Sequence, residues 1–145
     1  RIDQQKATDL TAPALVRILQ GTVASVEFMA ENAAFFSLLQ MEGRNVVGNE
    51  LRAGTDQHLR DMEAVIREGQ ADGTVSTDQP VELLAIATVG AVGQFSHLHR
   101  TGRLDHLDLQ QLTIYVVQLV ARILAANEAT ARDSVRTVRR QLADP

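Results

Sequence analysis

The sequence predicts an all-α protein: one bundle of about five to six helices. Three observations carry that expectation. Apolar residues recur three and four apart along most of the chain, and no segment sustains apolar–polar alternation. Alanine, leucine, valine, glutamine and arginine dominate, whereas proline occurs only three times in 145 residues. Apolar residues make up 45%, which is too many for a disordered chain and enough for one self-standing core.

Each element can be justified in order. Residues 1–10 are polar and read as the tail of a helix that began upstream; the chain opens Arg1-Ile2-Asp3 rather than on methionine, consistent with a fragment of something longer. Thr11 is a candidate N-cap, with Pro13 in the first turn. Leu15, Ile18, Leu19, Thr22, Val23, Val26, Met29 and Ala30 then keep helical spacing. Arg17, Gln20, Glu27 and Glu31 share one narrow sector, so this first helix is expected at the centre, packed on most sides. Asn32 is a candidate cap for a short second helix over 33–41, which carries Phe35, Phe36, Leu38 and Leu39 and should end at Gly43-Arg44-Asn45.

The third helix is expected over about 49–70, with Leu51, Thr55, Leu59, Met62, Val65 and Ile66 inward and His58 in the same stripe. Gly69 and Gly73 offer positive φ cheaply, so it should stop there. Val75 and Thr77 suit a brief extended passage, and Asp78-Gln79-Pro80 opens the next helix. That fourth helix, over 81–99, is apolar on two sides. Leu83, Ile86, Ala87, Gly90 and Gly93 project one way; Leu84, Thr88, Ala91, Val92 and Phe95 project the other. Such a helix needs partners on both flanks. After a polar turn over 100–108, a fifth helix (109–125) presents Leu112, Val116, Leu119, Val120 and Ile123, and a last one (128–143) turns Ala131, Val135, Val138 and Leu142 inward.

Composition also narrows function. The formal charge of −4 argues against DNA contact by this chain alone. Cysteine is absent, which removes disulfides, thiol nucleophiles and thiolate metal sites and fits a reducing, cytoplasmic setting. The apolar run 83–95 is shorter than the ~20 residues a spanning helix needs, so no membrane is expected. His97 and His99 cannot chelate together on a helix, because residues two apart point about 200° apart, and His106 alone does not rescue a metal site. No G-x-S-x-G elbow occurs, the five serines are scattered, and the carboxylates fall on predicted wet faces, so no enzyme is expected. No cofactor motif is found; Gly90 and Gly93 sit inside a helix and follow no strand. Arg132, Arg136, Arg139 and Arg140 read as a solvated basic face.

Three stretches, in order, carry a resemblance. They are "ENAAFFSLLQMEGR" (31–44), "LRDMEAVIREGQADGTVSTDQPVELLA" (59–85) and "TIYVVQLVARILA" (113–125). Together they resemble the C-terminal regulatory domain of TetR-family transcriptional regulators, over nearly the whole chain. One departure is Gln79, just before Pro80, where an aspartate is common in the family. The resemblance implies a ligand-binding domain that dimerises through two helices per subunit. It also implies a separate N-terminal helix-turn-helix, missing here, through which the intact protein would meet DNA.

On that reading the chain senses a small, mostly apolar effector in a cavity among the first, third and fourth helices. Phe28, Met29, Phe36, His58, Met62, Phe95, Gln94 and Thr88 are the candidate ligand-binding residues. Leu84, Ala91, Leu112, Val116, Leu119, Val120 and Ile123 are the candidates for a homodimer interface of about 1,500 Å². The competing expectation is a helical protein-interaction or scaffold module with no small-molecule ligand.

Overall fold

The computed structural model describes residues 10–42 and 48–143, with side chains at 10–39 and 55–143. The described residues form six helices and no strand: α1 (Ala14–Glu31), α2 (Ala33–Glu42), α3 (Gly48–Asp72), α4 (Val81–Arg100), α5 (Leu109–Leu124) and α6 (Glu128–Ala143). The tail at 1–9 and the stop at Gly43-Arg44-Asn45 lie outside the described residues.

α1 is the central rod. It packs against α5, α6, α3 and α4, and Leu15, Leu19, Val23 and Val26 are closed to solvent along it. The first half of the narrow polar sector seen in its sequence is itself covered, whereas Glu31 at its end is exposed. Gln20 is buried and donates to the Gln141 side-chain oxygen at 3.0 Å, and Arg17 reaches Glu68 at 2.6 Å. These two contacts tie α1 to α6 and α3. The core is aliphatic: Ile66, Leu112, Val116, Val117, Val120, Leu124 and Val138 join the α1 residues in one cluster. Full burial of side chains this size contributes about 1.5–3 kcal/mol each.

The joint between α3 and α4 decides how α1 begins. α1 starts at Ala14 with Pro13 at its cap, and no side chain of its own segment caps it. Thr11 was the expected cap. The Asp72 carboxylate instead accepts from the Ala14 N–H at 2.8 Å, and the Thr74 hydroxyl oxygen accepts from the Leu15 N–H at 3.3 Å. Asp72 also accepts from the Thr74 N–H and hydroxyl at 2.9 and 2.6 Å, so cap and joint are one knot. A helix start can be capped from anywhere in the fold, and local pattern cannot see this.

The two glycines of the joint do different work. Gly73 takes φ +85° and terminates α3. Gly69, expected to do the same, lies inside α3; a β-carbon there would sit 2.3 Å from Val75 Cγ2. Gly69 is thus a point of close approach. Val75 drops onto it and forms an isolated antiparallel bridge with Ala125, with Ser76 N–H to Leu124 oxygen at 2.8 Å and Ala126 N–H to Thr74 oxygen at 3.0 Å. That bridge pins the joint to the end of α5. The start of α5 is held by a reciprocal capping box between Asp108 and Gln111.

α4 has 20 residues and is apolar enough, by length and composition, to cross a membrane, which the shorter run read from the sequence did not suggest. Leu84, Ala85, Thr88, Val92 and Ser96 of α4 are buried against the other helices, while 28% of its apolar window is buried in all.

Candidate functional site

The site is built on α4 because its two flanks meet different surroundings. Ala85, Thr88, Val92 and Ser96 step along α4 by three or four residues and so form one inward stripe. Thr88 is fully buried and Ser96 is 4% exposed, yet neither hydroxyl has a hydrogen-bond partner. Helical Ser and Thr usually return the proton to the carbonyl four residues back. Thr22 and Thr113 do so here, to Ile18 and Leu109 at 2.9 and 2.7 Å. Leaving a buried hydroxyl unpaired costs about 1–3 kcal/mol, which sets these two apart from Thr22 and Thr113.

The stripe continues into Arg100, one turn beyond Ser96. The Arg100 guanidinium lies 5.6 Å from the centroid of the Phe36 ring, over its face. Its Nε and Nη1 atoms are closed to solvent and unpaired, and so is His97 Nδ1. Burial pushes the Arg100 pKa below the ordinary arginine value, but arginine stays charged in proteins. Phe36 in turn meets Phe28 and Phe35 edge-on at 5.8 and 5.6 Å. The far end of α4 therefore joins a half-covered guanidinium to an aromatic cluster. The last carbonyls of α4 are occupied locally: those of His97, Leu98 and His99 accept from the N–H groups of Thr101, Arg103 and Gly102.

The outward flank differs. Leu83 and Ile86 are 57% and 55% exposed, and Ala87, Gly90 and Gln94 continue the same stripe in the open. Tyr115 of α5, 49% exposed, leans on Phe95 at 5.5 Å beside it.

The sequence-predicted ligand residues divide accordingly. Thr88 is on the inward stripe, and Met29, Met62 and Phe95 are half-buried against the core. Phe36 is half-buried beneath Arg100, while Phe28 is 45% exposed at the edge of that cluster. His58 is exposed on α3, whereas its neighbour Leu59 packs against the core. Gln94 is exposed and belongs to the outward flank. Of the predicted interface residues, Leu84, Leu112, Val116 and Val120 are closed inside the protomer's own core, and Ala91, Leu119 and Ile123 are half-buried. Sequence reasoning passed over Ser96 and Arg100. The spacing 88–92–96–100 was the signal that could have found them.

A second feature is an open cleft of about 950 Å³ between α5 and α6. Arg122, Arg132, Arg136, Arg139 and Arg140 line it, with Glu128. Only Arg136 of these arginines has a carboxylate within reach among the described residues, Asp133 at 3.7 Å. The cleft is locally positive but wide and solvent-screened, so it attracts anions without fixing their geometry.

Comparison with known family models, curated proteins and solved structures gave no match.

Proposed function

We propose that the chain is the ligand-sensing and dimerisation domain of a TetR-like transcriptional regulator. The order of sequence motifs favours that family, and the two unlike flanks of α4 are the observation that supports the role. The inward stripe carries buried, unpaired hydroxyls in an otherwise aliphatic core. The outward stripe presents Leu83 and Ile86 to solvent beside Tyr115. One flank suits an effector held among α1, α3 and α4; the other suits a second copy.

In this reading α4 and α5 of two protomers form a four-helix bundle. The contact surface is Leu83, Ile86, Ala87, Gly90 and Gln94, since Leu84, Leu112, Val116 and Val120 are already engaged at home. The effector is small and mostly apolar. Its binding stabilises one arrangement of α1, α3 and α4 over another. In the intact regulator that shift changes the spacing of two DNA readers and lowers operator affinity, for which coupling of about 1–3 kcal/mol is enough.

Light scattering tests the dimer. Leu83→Glu combined with Ile86→Glu should yield monomers with unchanged helical circular dichroism, because both side chains are exposed in the protomer. An unchanged dimer, or a wild-type protein that is already monomeric at tens of micromolar, would refute the assignment.

A further inference from the structure

We propose that the effector is a monocarboxylate with an apolar body, and that its carboxylate docks on Arg100 and Ser96 at the C-terminal end of α4. This rests on the sensor reading above and names the chemistry of its ligand. Arg100 holds two N–H positions, at Nε and Nη1, that are closed to solvent and unpaired. No carboxylate among the described residues lies within ion-pair distance of it. Each such N–H can give a charge-assisted hydrogen bond to a carboxylate oxygen. The Ser96 hydroxyl, four residues earlier on the same side, is a further unpaired donor, and its residue is 4% exposed. His97, three residues before Arg100, adds a fourth polar atom at the flank.

The aromatic cluster supplies the complement. Phe36 lies under Arg100 and holds the guanidinium over its ring face, with Phe28 edge-on beside it. An anionic head on Arg100 therefore places the rest of the molecule against rings. A cationic head would leave Arg100 half-desolvated and unpaired, and a neutral acceptor would leave its charge uncompensated. The helix dipole alone disfavours an anion at a C-terminus by about 0.3–1 kcal/mol. Here it is offset, because the last carbonyls are taken up by the following turn and the head meets a full positive charge first. Thr88 lies two turns below Ser96, roughly 12 Å along the axis. A ligand anchored at Arg100 and long enough to reach Thr88 would meet the second buried hydroxyl.

The test is calorimetric titration of the chain with decanoate and 2-naphthoate, kept submillimolar, beside their methyl esters and decylamine. At least one acid should bind, and at least 10-fold more tightly than its ester, while decylamine should not bind. Arg100→Met should weaken the acid about 10- to 100-fold and leave the ester unchanged, the range expected for losing charged hydrogen bonds. Arg100→Lys should recover part of the loss, and Ser96→Ala should cost about 3- to 10-fold. Circular dichroism checks that each variant folds. Equal affinity for acid and ester, or acid binding untouched by Arg100→Met in a folded protein, overturns the carboxylate assignment and leaves the sensor reading standing. If neither acids nor esters bind, the carboxylate assignment falls too, and the dimer measurement above then judges the remaining reading separately.

Discussion

Removing the Asp72 carboxylate should uncap α1 and loosen the α3–α4 joint together. In the wild-type protein Asp72 accepts from Ala14 N–H at 2.8 Å and from both donors of Thr74. Loss of an N-cap costs about 0.5–2 kcal/mol, and a hydrogen bond to a charged group contributes about 1.5–3 kcal/mol. Asp72→Ala removes the cap and also frees the Thr74 side chain that serves Leu15, so we expect about 2 kcal/mol of destabilisation. For a chain of this size that is roughly 4–8 °C in Tm. Urea denaturation at pH 7 should show a lower midpoint with an unchanged slope.

The same carboxylate sets a pH dependence. Partial burial opposes its charge, but the bonds from Ala14 and Thr74 and the nearby Arg17 prevail and hold its pKa below the ordinary aspartate value. A depressed folded-state pKa means stability that is fully present above the unfolded value of about 3.9 and is lost as pH falls through the folded one. The gap between wild type and Asp72→Ala should therefore be constant from pH 7 to 5 and shrink below about pH 4. A gap under about 0.5 kcal/mol at pH 7, within the scatter of ordinary surface substitutions, would refute the capping role. A gap that persists at pH 3 would refute the ionic part of it.

Other outcomes follow from the packing. Gly69→Ala should destabilise by about 2 kcal/mol, because its methyl group would overlap a buried Val75 that the bridge to Ala125 holds in place. Gly21→Ala should do the opposite and stabilise by about 0.5–1 kcal/mol, since that helical position has nothing within 4 Å of the added carbon. Thermal melts of the two variants decide both. Thr88→Val replaces an unpaired buried hydroxyl with a methyl group and should raise the Tm of the ligand-free protein; a fall in Tm would show that the hydroxyl is satisfied in solution.

Much of the helical order was legible along the chain. The starts of the fourth, fifth and sixth helices, at Val81, Leu109 and Glu128, coincide with those read from periodicity and turn residues. The two-sided character of α4 was equally legible, because it depends only on which residues are apolar at which angle. What could not be read was which side faces inward. Leu83 and Leu84 are chemically the same, yet one is 57% exposed and the other 5%. His58 misled for a similar reason: it shares a sector with Val65, yet it is exposed while the adjacent Leu59 packs against the core.

Periodicity, composition and chain punctuation thus determined an all-α bundle and its connections, since these follow from the 3.6-residue repeat and from where glycine and proline interrupt it. Tertiary structure alone decided three things. It put Asp72 at the start of a helix 58 positions away in sequence, it turned Gly69 from a stop into a contact for Val75, and it laid Arg100 over Phe36. Each depends on where two distant segments meet in space, and a pattern confined to neighbouring residues carries no information about that distance.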